Sequence, residues 1–373
     1  MRILILSVTT GYGHHSTANA LAEELKARGA DVVVVDLYEK VSKFKYDLLD
    51  KGYTFSIKHM KKPFGKAYRT LVEHESARNF VNILAGNKRV AKKFADIIQY
   101  YQPEVIISTH VLAAQVIDIL KLHKYVIAPV FGIVTDYCIH PFWEDIKHID
   151  YIVTGSEYLN FTSEKRGLDV GKILPLGLPV RAEFSYRIPR EEARRELILQ
   201  DRTTILVMGG SMGYGNIARW IEEIDKLPFE IQIICICGKN EKLFHRMNQI
   251  ETNSPMRVLG FTNRVSLYMD ASNCIITKPG GLTITEVMCK RLPMILVNPI
   301  PGHEVGNAEF MTNCGAAIRV TEQFSVSEAV YYLLSNPARL ELMERSIEMI
   351  SHTDATKRIC DEIVNCISTK AQE

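Results

Sequence analysis

The sequence lacks the features that mark several common classes of protein. It has eight cysteines among 373 residues but no CxxC pair, so neither a zinc site nor a disulfide framework is indicated. The net charge of +2 is too small to indicate nucleic-acid binding by itself. No stretch approaches the roughly 18 apolar residues that a membrane-spanning helix needs. These absences favour a globular protein of a reducing cytoplasm, for which any membrane contact is peripheral.

Short apolar segments alternate with amphipathic ones, which is the pattern of a doubly wound parallel α/β sheet. Strands are predicted at residues 3–7, 32–36, 105–108, 126–134 and 151–154, and again at 204–208, 231–237, 257–259, 274–277 and 294–297. Helices are predicted at 16–28, about 77–101 and 281–290. The predicted organisation is a Rossmann-like domain over residues 1–177, a linker over 178–200, a second Rossmann-like domain over 201–350 and a C-terminal helix over 351–373.

The first predicted strand is followed by a turn with two glycines and two histidines. Ligands of such sheets bind where strands end and helices begin. Gly13 and His14 lie there, and a helix N-terminus lowers the pKa of a histidine, which keeps the imidazole neutral as a general base requires. A solvated surface turn is the alternative. Gly11, Gly13 and Asp36 also form an incomplete dinucleotide fingerprint, which is a weak signal.

The second half has a glycine-rich turn after its first strand. It contains Gly209, Gly210, Ser211 and Gly213. Backbone N–H groups in such turns can hold an anion. The GK[ST] sequence of a P-loop is absent, so a diphosphate held without an essential lysine or Mg²⁺ is the natural fit. A purely structural turn is the alternative.

Two further turns of the second half carry polar side chains at helix starts. The first holds Gly280, Gly281, Thr283 and Glu286, and the second holds His303, Glu304 and Asn307. A carboxylate such as that of Glu286 could accept hydrogen bonds from both ribose hydroxyls, although it could also cap its own helix. Glu304 and Asn307 share a helix face and suit sugar hydroxyls. No third ligand accompanies His303 and Glu304, so a metal site is not predicted.

The segment after the strand at 126–134 combines acidic, basic and aromatic side chains. Asp136, His140 and Trp143 lie there. A polar centre with an aromatic rim suits an acceptor site, and a structural role is the alternative. The predicted acceptor-binding residues are His140, Trp143 and, in the first turn, Gly13.

A basic and aromatic segment spans residues 40–69. It has nine basic and two acidic residues, a local balance of +7. The residues predicted to contact the membrane are Lys58, Lys61, Lys62, Phe64 and Lys66, in its second half. Cations with interfacial aromatic residues are typical of a surface that binds anionic membranes. A solvated charged face is the alternative, and no nucleic-acid-binding motif accompanies the segment.

Together these motifs resemble a known group of enzymes. The first turn, with Thr135-Asp136 and His140-Pro141-x-Trp143, resembles the monogalactosyldiacylglycerol synthase and processive diacylglycerol glucosyltransferase family. Gly209-Gly210-Ser211, Gly280-Gly281-x-Thr283-x-x-Glu286 and Pro301-Gly302-His303-Glu304-x-x-Asn307 resemble the wider family of the GlcNAc transferase that makes lipid II. Lys278 departs from that enzyme, where a small hydroxyl residue is expected.

The resemblance implies a GT-B fold, with two Rossmann-like domains facing a cleft, and an inverting hexosyltransferase. The implied donor is a UDP-hexose, the implied acceptor diacylglycerol or a related lipid, and no cofactor or metal is implied. It makes His14 the base, with Asp136 as the other candidate, and places Glu286 on the ribose and Glu304 with Asn307 on the sugar. The expected location is the inner face of the cell membrane, on its cytoplasmic side.

Other functions remain open at this stage. A lipid II-type GlcNAc transferase and a UDP-GlcNAc 2-epimerase share the fold. A nicotinamide oxidoreductase would use the first turn, and a nucleotide-sensing module would bind a UDP-sugar without turnover. The motifs do not identify the sugar.

Overall fold

The computed structural model describes residues 1–8, 13–37, 88–210 and 212–370. The chain divides into two compact units. Unit 1 consists of Met1–Arg181, Ile300–His303 and Asp354–Glu373, and unit 2 consists of Ala182–Pro299 and Glu304–Thr353. Lys58, Lys61, Lys62, Phe64 and Lys66, which are predicted to bind membranes, lie outside the described residues, as does Ser211.

The core of unit 1 is a parallel sheet of six strands in the order β2-β1-β3-β4-β5-β6. The strands are β1 (Arg2–Ser7), β2 (Asp31–Asp36), β3 (Val105–Ser108), β4 (Val130–Ile133), β5 (Tyr151–Val153) and β6 (Ile173–Leu174). Five of the six residues of β1 are buried, as expected for a parallel sheet covered on both faces. Because all the strands run in one direction, their carboxyl ends lie at one edge of the sheet.

Helices alternate with these strands, and the first of them carries Gly13 and His14. They are α1 (Gly13–Ala27), α2 (Lys88–Tyr101), α3 (Val111–Leu122), α4 (Leu159–Lys165) and the C-terminal α13 (Ala355–Lys370). The helix α1 begins at Gly13 rather than at residue 16, so His14 lies in its first turn. On α1, Ala18, Leu21 and Leu25 recur at helical spacing and are buried against the sheet.

The C-terminal helix α13 belongs to unit 1. Ile359 and Ile363 are fully buried in the same core cluster as Leu21 and Leu25 of α1. An ion pair of 2.6 Å joins Arg28 Nη1 at the end of α1 to Asp361 Oδ1. The last helix therefore completes the apolar core of the first domain.

Unit 2 has a second parallel sheet of six strands, in the order β12-β11-β10-β7-β8-β9. The strands are β7 (Thr203–Met208), β8 (Ile231–Ile236), β9 (Met256–Leu259), β10 (Cys274–Thr277), β11 (Met294–Leu296) and β12 (Ala317–Arg319). β10 lies between β7 and β11, and Thr277 pairs with Met208 on one side and Leu296 on the other. The turns that follow these three strands therefore lie side by side.

The helices of unit 2 follow its strands in the same alternation. They are α5 (Arg190–Glu196), α6 (Ile217–Ile224), α7 (Glu241–Met247), α8 (Val265–Asp270), α9 (Gly281–Cys289), α10 (His303–Asn313), α11 (Val326–Leu334) and α12 (Pro337–Ile350). Helix α5 lies inside the predicted linker. Its Arg194 is buried and donates to the Ala271 carbonyl and the Asn273 side chain. This part of the linker is thus folded into unit 2.

Among the described residues, no helix is both long enough and apolar enough to cross a membrane.

Candidate active site

The imidazole of His14 is fixed by the backbone of a neighbouring turn. His14 lies in the first turn of α1, the helix that follows β1 in the chain, and Thr109 follows the adjacent strand β3. The Nδ1 atom of His14 lies 2.7 Å from the main-chain carbonyl oxygen of Thr109 and 3.2 Å from Thr135 Oγ1. Strand pairing in the sheet therefore brings His14 to the edge at which the sequence predicts the chemistry.

This contact assigns the tautomer of His14. A carbonyl oxygen only accepts hydrogen bonds, so Nδ1 carries the proton and donates it to Thr109. The lone pair of the neutral ring then lies on Nε2, on the opposite side of the imidazole. An imidazole held in this way has the orientation and the free electron pair that a general base requires.

The environment of His14 keeps its ring neutral. Burial lowers the pKa of His14 below its usual 6.5, and the negative charge of Asp136 opposes this by raising it. Burial has the larger effect because the charged form of a buried imidazole loses its hydration. His14 is therefore ready to accept a proton at neutral pH, and Asp136, which follows β4, would favour the imidazolium once it forms.

The structure adds His110 to this site, a residue that the sequence analysis missed. The His110 ring lies edge-on to the His14 ring, with 4.6 Å between the centroids. His110 Nδ1 accepts a hydrogen bond from Leu112 N and so caps α3. Burial lowers the pKa of His110 well below its usual value. Its position directly after β3 is the sequence signal that could have identified it.

The residues predicted for the acceptor occupy different environments. His140 Nδ1 accepts from Phe142 N at 3.2 Å, and burial lowers the pKa of His140 from 6.5 to about 4. Trp143 is only 3% exposed, and its ring leaves no room for a side chain at Gly132 on β4. Trp143 therefore packs in the core of unit 1, and its predicted contact with an acceptor stays a prediction, as do those of Gly13 and His140.

His15 follows His14 in the chain but does not share its hydrogen bonds. Its Nδ1 atom is buried and has no hydrogen-bond partner among the described residues.

In unit 2, the glycine-rich turn has a backbone geometry that other residues would disturb. A Cβ atom at Gly209 would lie 2.2 Å from the Tyr214 carbonyl oxygen, and one at Gly213 would lie 2.3 Å from that of Cys237. Gly210 and Gly213 also have positive φ angles, of 71° and 59°. Gly209 and Gly213 are thus required for the shape of the turn. The turn is open at Gly210, since no described atom beyond its chain neighbours lies within 4 Å of a Cβ placed there.

The turn after β10 leads directly into α9. Gly280 is the N-cap residue of α9, and Gly281 and Glu286 are buried on the helix, with Glu286 7% exposed. Thr283 is half-buried in the first turn. Anions are stabilised at a helix start, and a carboxylate one turn further on can accept hydroxyl hydrogens. The arrangement suits a nucleotide whose phosphates and ribose bind at this edge.

The turn before α10 is joined to the turn before α9. Asn307 is fully buried, and its Nδ2 donates to the Pro279 carbonyl oxygen at 3.0 Å. Glu304 Oε1 pairs with Lys278 Nζ at 3.1 Å, and both side chains are about nine-tenths buried. His303 is the first residue of α10. Asn307 therefore holds the two turns together, and its predicted contact with the sugar stays a prediction, as does that of Glu304.

In the described part of the chain, no group of three or more histidine, cysteine or acidic residues is placed to hold a metal ion.

Two family models match the chain, one for each unit. The model for monogalactosyldiacylglycerol (MGDG) synthase matches residues 14–180. The model for the glycosyltransferase family 28 C-terminal domain matches residues 204–359. The first match begins at His14 and the second spans the turns before α9 and α10, so together they include most of the predicted site.

Individual proteins resemble the chain over nearly its full length. A processive diacylglycerol beta-glucosyltransferase of Bacillus pumilus is 28% identical, over 97% of this chain and 94% of the relative. The crystal structure of MurG from Acinetobacter baumannii has a TM-score of 0.64 with 16% identity, over 98% of this chain and 99% of MurG. The crystal structure of Anabaena HepE in complex with UDP-glucose has a TM-score of 0.58 with 13% identity, over 99% of this chain and 100% of HepE.

These likenesses agree with the two six-stranded parallel sheets, which are those of a GT-B fold. The predicted fold class is thereby confirmed. Each half of the chain matches the family model that its motifs predicted. Residues 14–180 therefore match monogalactosyldiacylglycerol synthase, residues 204–359 match the C-terminal domain of glycosyltransferase family 28, and the chain is a glycosyltransferase.

Proposed function

We propose that this enzyme transfers a hexose, with inversion, from a UDP-sugar to the free hydroxyl of diacylglycerol, and that it does so at a membrane surface. The observation that carries the chemistry is the contact between His14 Nδ1 and the Thr109 carbonyl oxygen, which leaves Nε2 free as the base. The identity of the acceptor is supported by the name of the relatives that match nearly the whole chain.

In this proposal unit 2 holds the donor. The residues assigned to the diphosphate are Gly209, Gly210, Ser211, Gly213, Gly280, Gly281 and Thr283. Glu286 accepts hydrogen bonds from the ribose hydroxyls, and Glu304 and Asn307 contact the sugar. The open glycine-rich turn and the start of α9 support the phosphate assignment, since both favour anions. The UDP-glucose complex of Anabaena HepE, which shares the fold, is consistent with a nucleotide-sugar donor.

Unit 1 supplies the base. The acceptor hydroxyl oxygen bonds to the anomeric carbon, and its proton passes to His14 Nε2. The bond from the anomeric carbon to the diphosphate oxygen breaks, and its electron pair leaves with UDP. Attack from the face opposite UDP inverts the anomeric centre. Asp136 stabilises the imidazolium of His14, because its charge favours the protonated ring.

The membrane part of the proposal is supported by the sequence. Diacylglycerol resides in a bilayer, and the basic and aromatic segment of residues 40–69 has the composition of a membrane-binding surface. We propose that this segment docks the enzyme on the inner face of the cell membrane.

The test is to incubate the purified enzyme with UDP-glucose, UDP-galactose or UDP-GlcNAc and diacylglycerol vesicles, and to analyse the lipids by mass spectrometry. We expect one hexose per lipid or a short series, with one UDP released for each sugar added. UDP-glucose is the first donor to test, because the relatives are named as glucosyltransferases.

Three outcomes would contradict the proposal. Release of UDP from UDP-GlcNAc with no lipid product would indicate the epimerase. Transfer to a polyprenyl-diphosphate sugar but not to diacylglycerol would indicate the lipid II type. Binding of a UDP-sugar without any turnover would indicate a sensing module.

A further inference from the structure

Lys278 is a cation for which the functional assignment so far has no role. It directly follows Thr277, the last residue of β10. Thr277 pairs with Met208 on β7 and with Leu296 on β11. Lys278 therefore leaves the sheet between the glycine-rich turn that begins at Gly209 and the turn that leads to α10.

The contacts of Lys278 reach both of these turns. Its Nζ lies 3.1 Å from Glu304 Oε1 on α10 and 5.8 Å from the centroid of the Tyr214 ring. Tyr214 closes the glycine-rich turn, since its N–H donates to the Gly209 carbonyl oxygen at 2.9 Å. One ammonium group therefore lies between the turn assigned to the diphosphate and the residue assigned to the sugar.

Burial strengthens the electrostatic effect of the Lys278 ammonium on nearby groups. The side chain of Lys278 is 11% exposed and that of Glu304 is 9% exposed. A partly buried charge is screened less by water and salt than a surface charge. The carboxylate of Glu304 offsets the cost of burying the ammonium, and it also fixes the position of Nζ.

A nearby group is also without a partner. The hydroxyl oxygen of Thr277 is buried and has no hydrogen-bond partner among the described residues. A polar ligand at the end of β10 would satisfy it. The end of β10 thus has a buried hydroxyl that still has a hydrogen bond to make, followed in the next residue by a fixed cation.

We propose that Lys278 donates a hydrogen bond to the diphosphate of the UDP-sugar and stabilises the negative charge of the departing UDP. As the bond between the anomeric carbon and the diphosphate oxygen breaks, its electron pair adds charge to that oxygen, and a fixed cation lowers the barrier most where such charge develops. Glu304 positions the ammonium through its 3.1 Å contact with Nζ. The inference rests on the proposed function. It differs from the sequence-based prediction, in which backbone amides alone bind the diphosphate without an essential lysine.

The experiment compares Lys278→Gln, Lys278→Met and Lys278→Arg with the control Lys226→Gln, which neutralises an exposed lysine of unit 2. Calorimetry gives the affinities for UDP and for uridine, and initial rates give kcat. We expect both neutral variants to lose roughly 10–100-fold in UDP affinity and about 10²-fold in kcat. Uridine affinity should stay unchanged, because uridine lacks the diphosphate. Lys278→Arg should recover part of both losses.

The outcomes separate this inference from the proposed function. If wild-type enzyme binds UDP and the neutral variants keep its UDP affinity and kcat, the inference is wrong and the proposed function stands. If the neutral variants lose uridine and UDP affinity equally, Lys278 is a structural residue and the inference is again wrong. If the wild type does not bind UDP, the donor assignment itself fails. Thermal unfolding of each variant shows which of them are folded. If Lys278→Met does not fold, Lys278→Gln provides the test of a neutral side chain.

Discussion

His14 Nδ1 lies 2.7 Å from the carbonyl oxygen of Thr109, so the tautomer of the proposed base is set by the main chain. Thr109 is fully buried at the end of β3, where its amide donates to the Leu6 carbonyl oxygen of β1. The carbonyl oxygen that accepts the hydrogen bond from His14, and so orients its ring, is therefore part of the edge of the sheet. In many general-base sites a carboxylate fills this role, and here the charge of Asp136 raises the pKa of His14.

Protein stability should fall in mild acid because of His140. The pKa of His140 is lowered by burial from 6.5 to about 4. Between these pH values the unfolded chain binds a proton that the folded chain does not, so its free energy of unfolding falls as the pH drops from 6.5 to about 4. Above pH 6.5 the imidazole of His140 is neutral in both the folded and the unfolded chain, so His140 no longer lowers the free energy of unfolding.

His140→Asn tests this directly. Asparagine keeps a side-chain acceptor for Phe142 N but does not titrate. Urea unfolding near pH 7 and near pH 4.5 should show a smaller loss of stability for this variant than for wild type. The loss should not vanish, since burial also lowers the pKa of His14 and His110. The control is His123→Asn at an exposed position. Equal pH dependence in wild type and His140→Asn would show that His140 does not destabilise the fold in acid.

Most of the fold could be predicted from the sequence, because strands buried on both faces of a parallel sheet read as apolar runs. The runs at 105–108 and 274–277 coincide with β3 and β10. Two strands were missed, since β6 and β12 have only two and three residues and no periodicity. The strand predicted at 126–134 was too long, because Ile127 is 83% exposed and β4 begins only after Pro129.

The site was predicted less completely, for a different physical reason. Helix starts and glycine turns are local features, so His14, Gly209 and Glu286 could be proposed as site residues one turn at a time. Contacts between turns depend on strand order, which the sequence does not give. The link from His14 to Thr109 joins residues that are 95 positions apart, after the paired strands β1 and β3. The pair of Lys278 with Glu304 depends on the pairing of β10 with β11.

Glu286 should be needed for nucleotide affinity. In the proposed function its carboxylate accepts the ribose hydroxyls, and losing a hydrogen bond to a charged acceptor typically costs about 1.5–3 kcal/mol. Glu286→Ala should therefore weaken binding of both UDP and uridine in calorimetry. Glu222→Ala, at an exposed position on α6, is the control and should change neither. Unchanged UDP affinity in Glu286→Ala would refute the ribose assignment.

Activity should not require a divalent metal. We expect the glycine-rich turn, the start of α9 and Lys278 to neutralise the leaving diphosphate. Dialysis against EDTA should leave the rate of glycolipid formation within about twofold of the untreated enzyme. Loss of activity in EDTA that Mg²⁺ or Mn²⁺ restores would contradict this expectation.

Membrane binding should depend on the basic segment. Replacing Lys58, Lys61, Lys62 and Lys66 with glutamate should reduce co-sedimentation with anionic vesicles and leave UDP affinity unchanged. High salt should have the same effect on the wild type, because exposed charges are screened within about 10 Å at 0.1 M salt.

The matched control for this experiment reverses four exposed lysines elsewhere, at Lys124, Lys165, Lys226 and Lys242. We expect this control to bind vesicles better than the variant of the basic segment. Equal loss in both proteins would mean that net charge matters and that the segment is not a docking surface.

The most direct test of the proposed base is kcat for His14→Ala with UDP affinity measured on the same protein. Removing a general base typically lowers the rate by about 10²–10⁴-fold, so we expect that loss in kcat with UDP affinity near wild type. Thr135→Val is the control at the second contact of Nδ1, and it should keep most of kcat, because the Thr109 carbonyl oxygen still orients the ring. His15→Ala should also cost much less than His14→Ala. If His14→Ala keeps most of its kcat while Asp136→Asn does not, the base is Asp136 and the role of His14 proposed here is wrong.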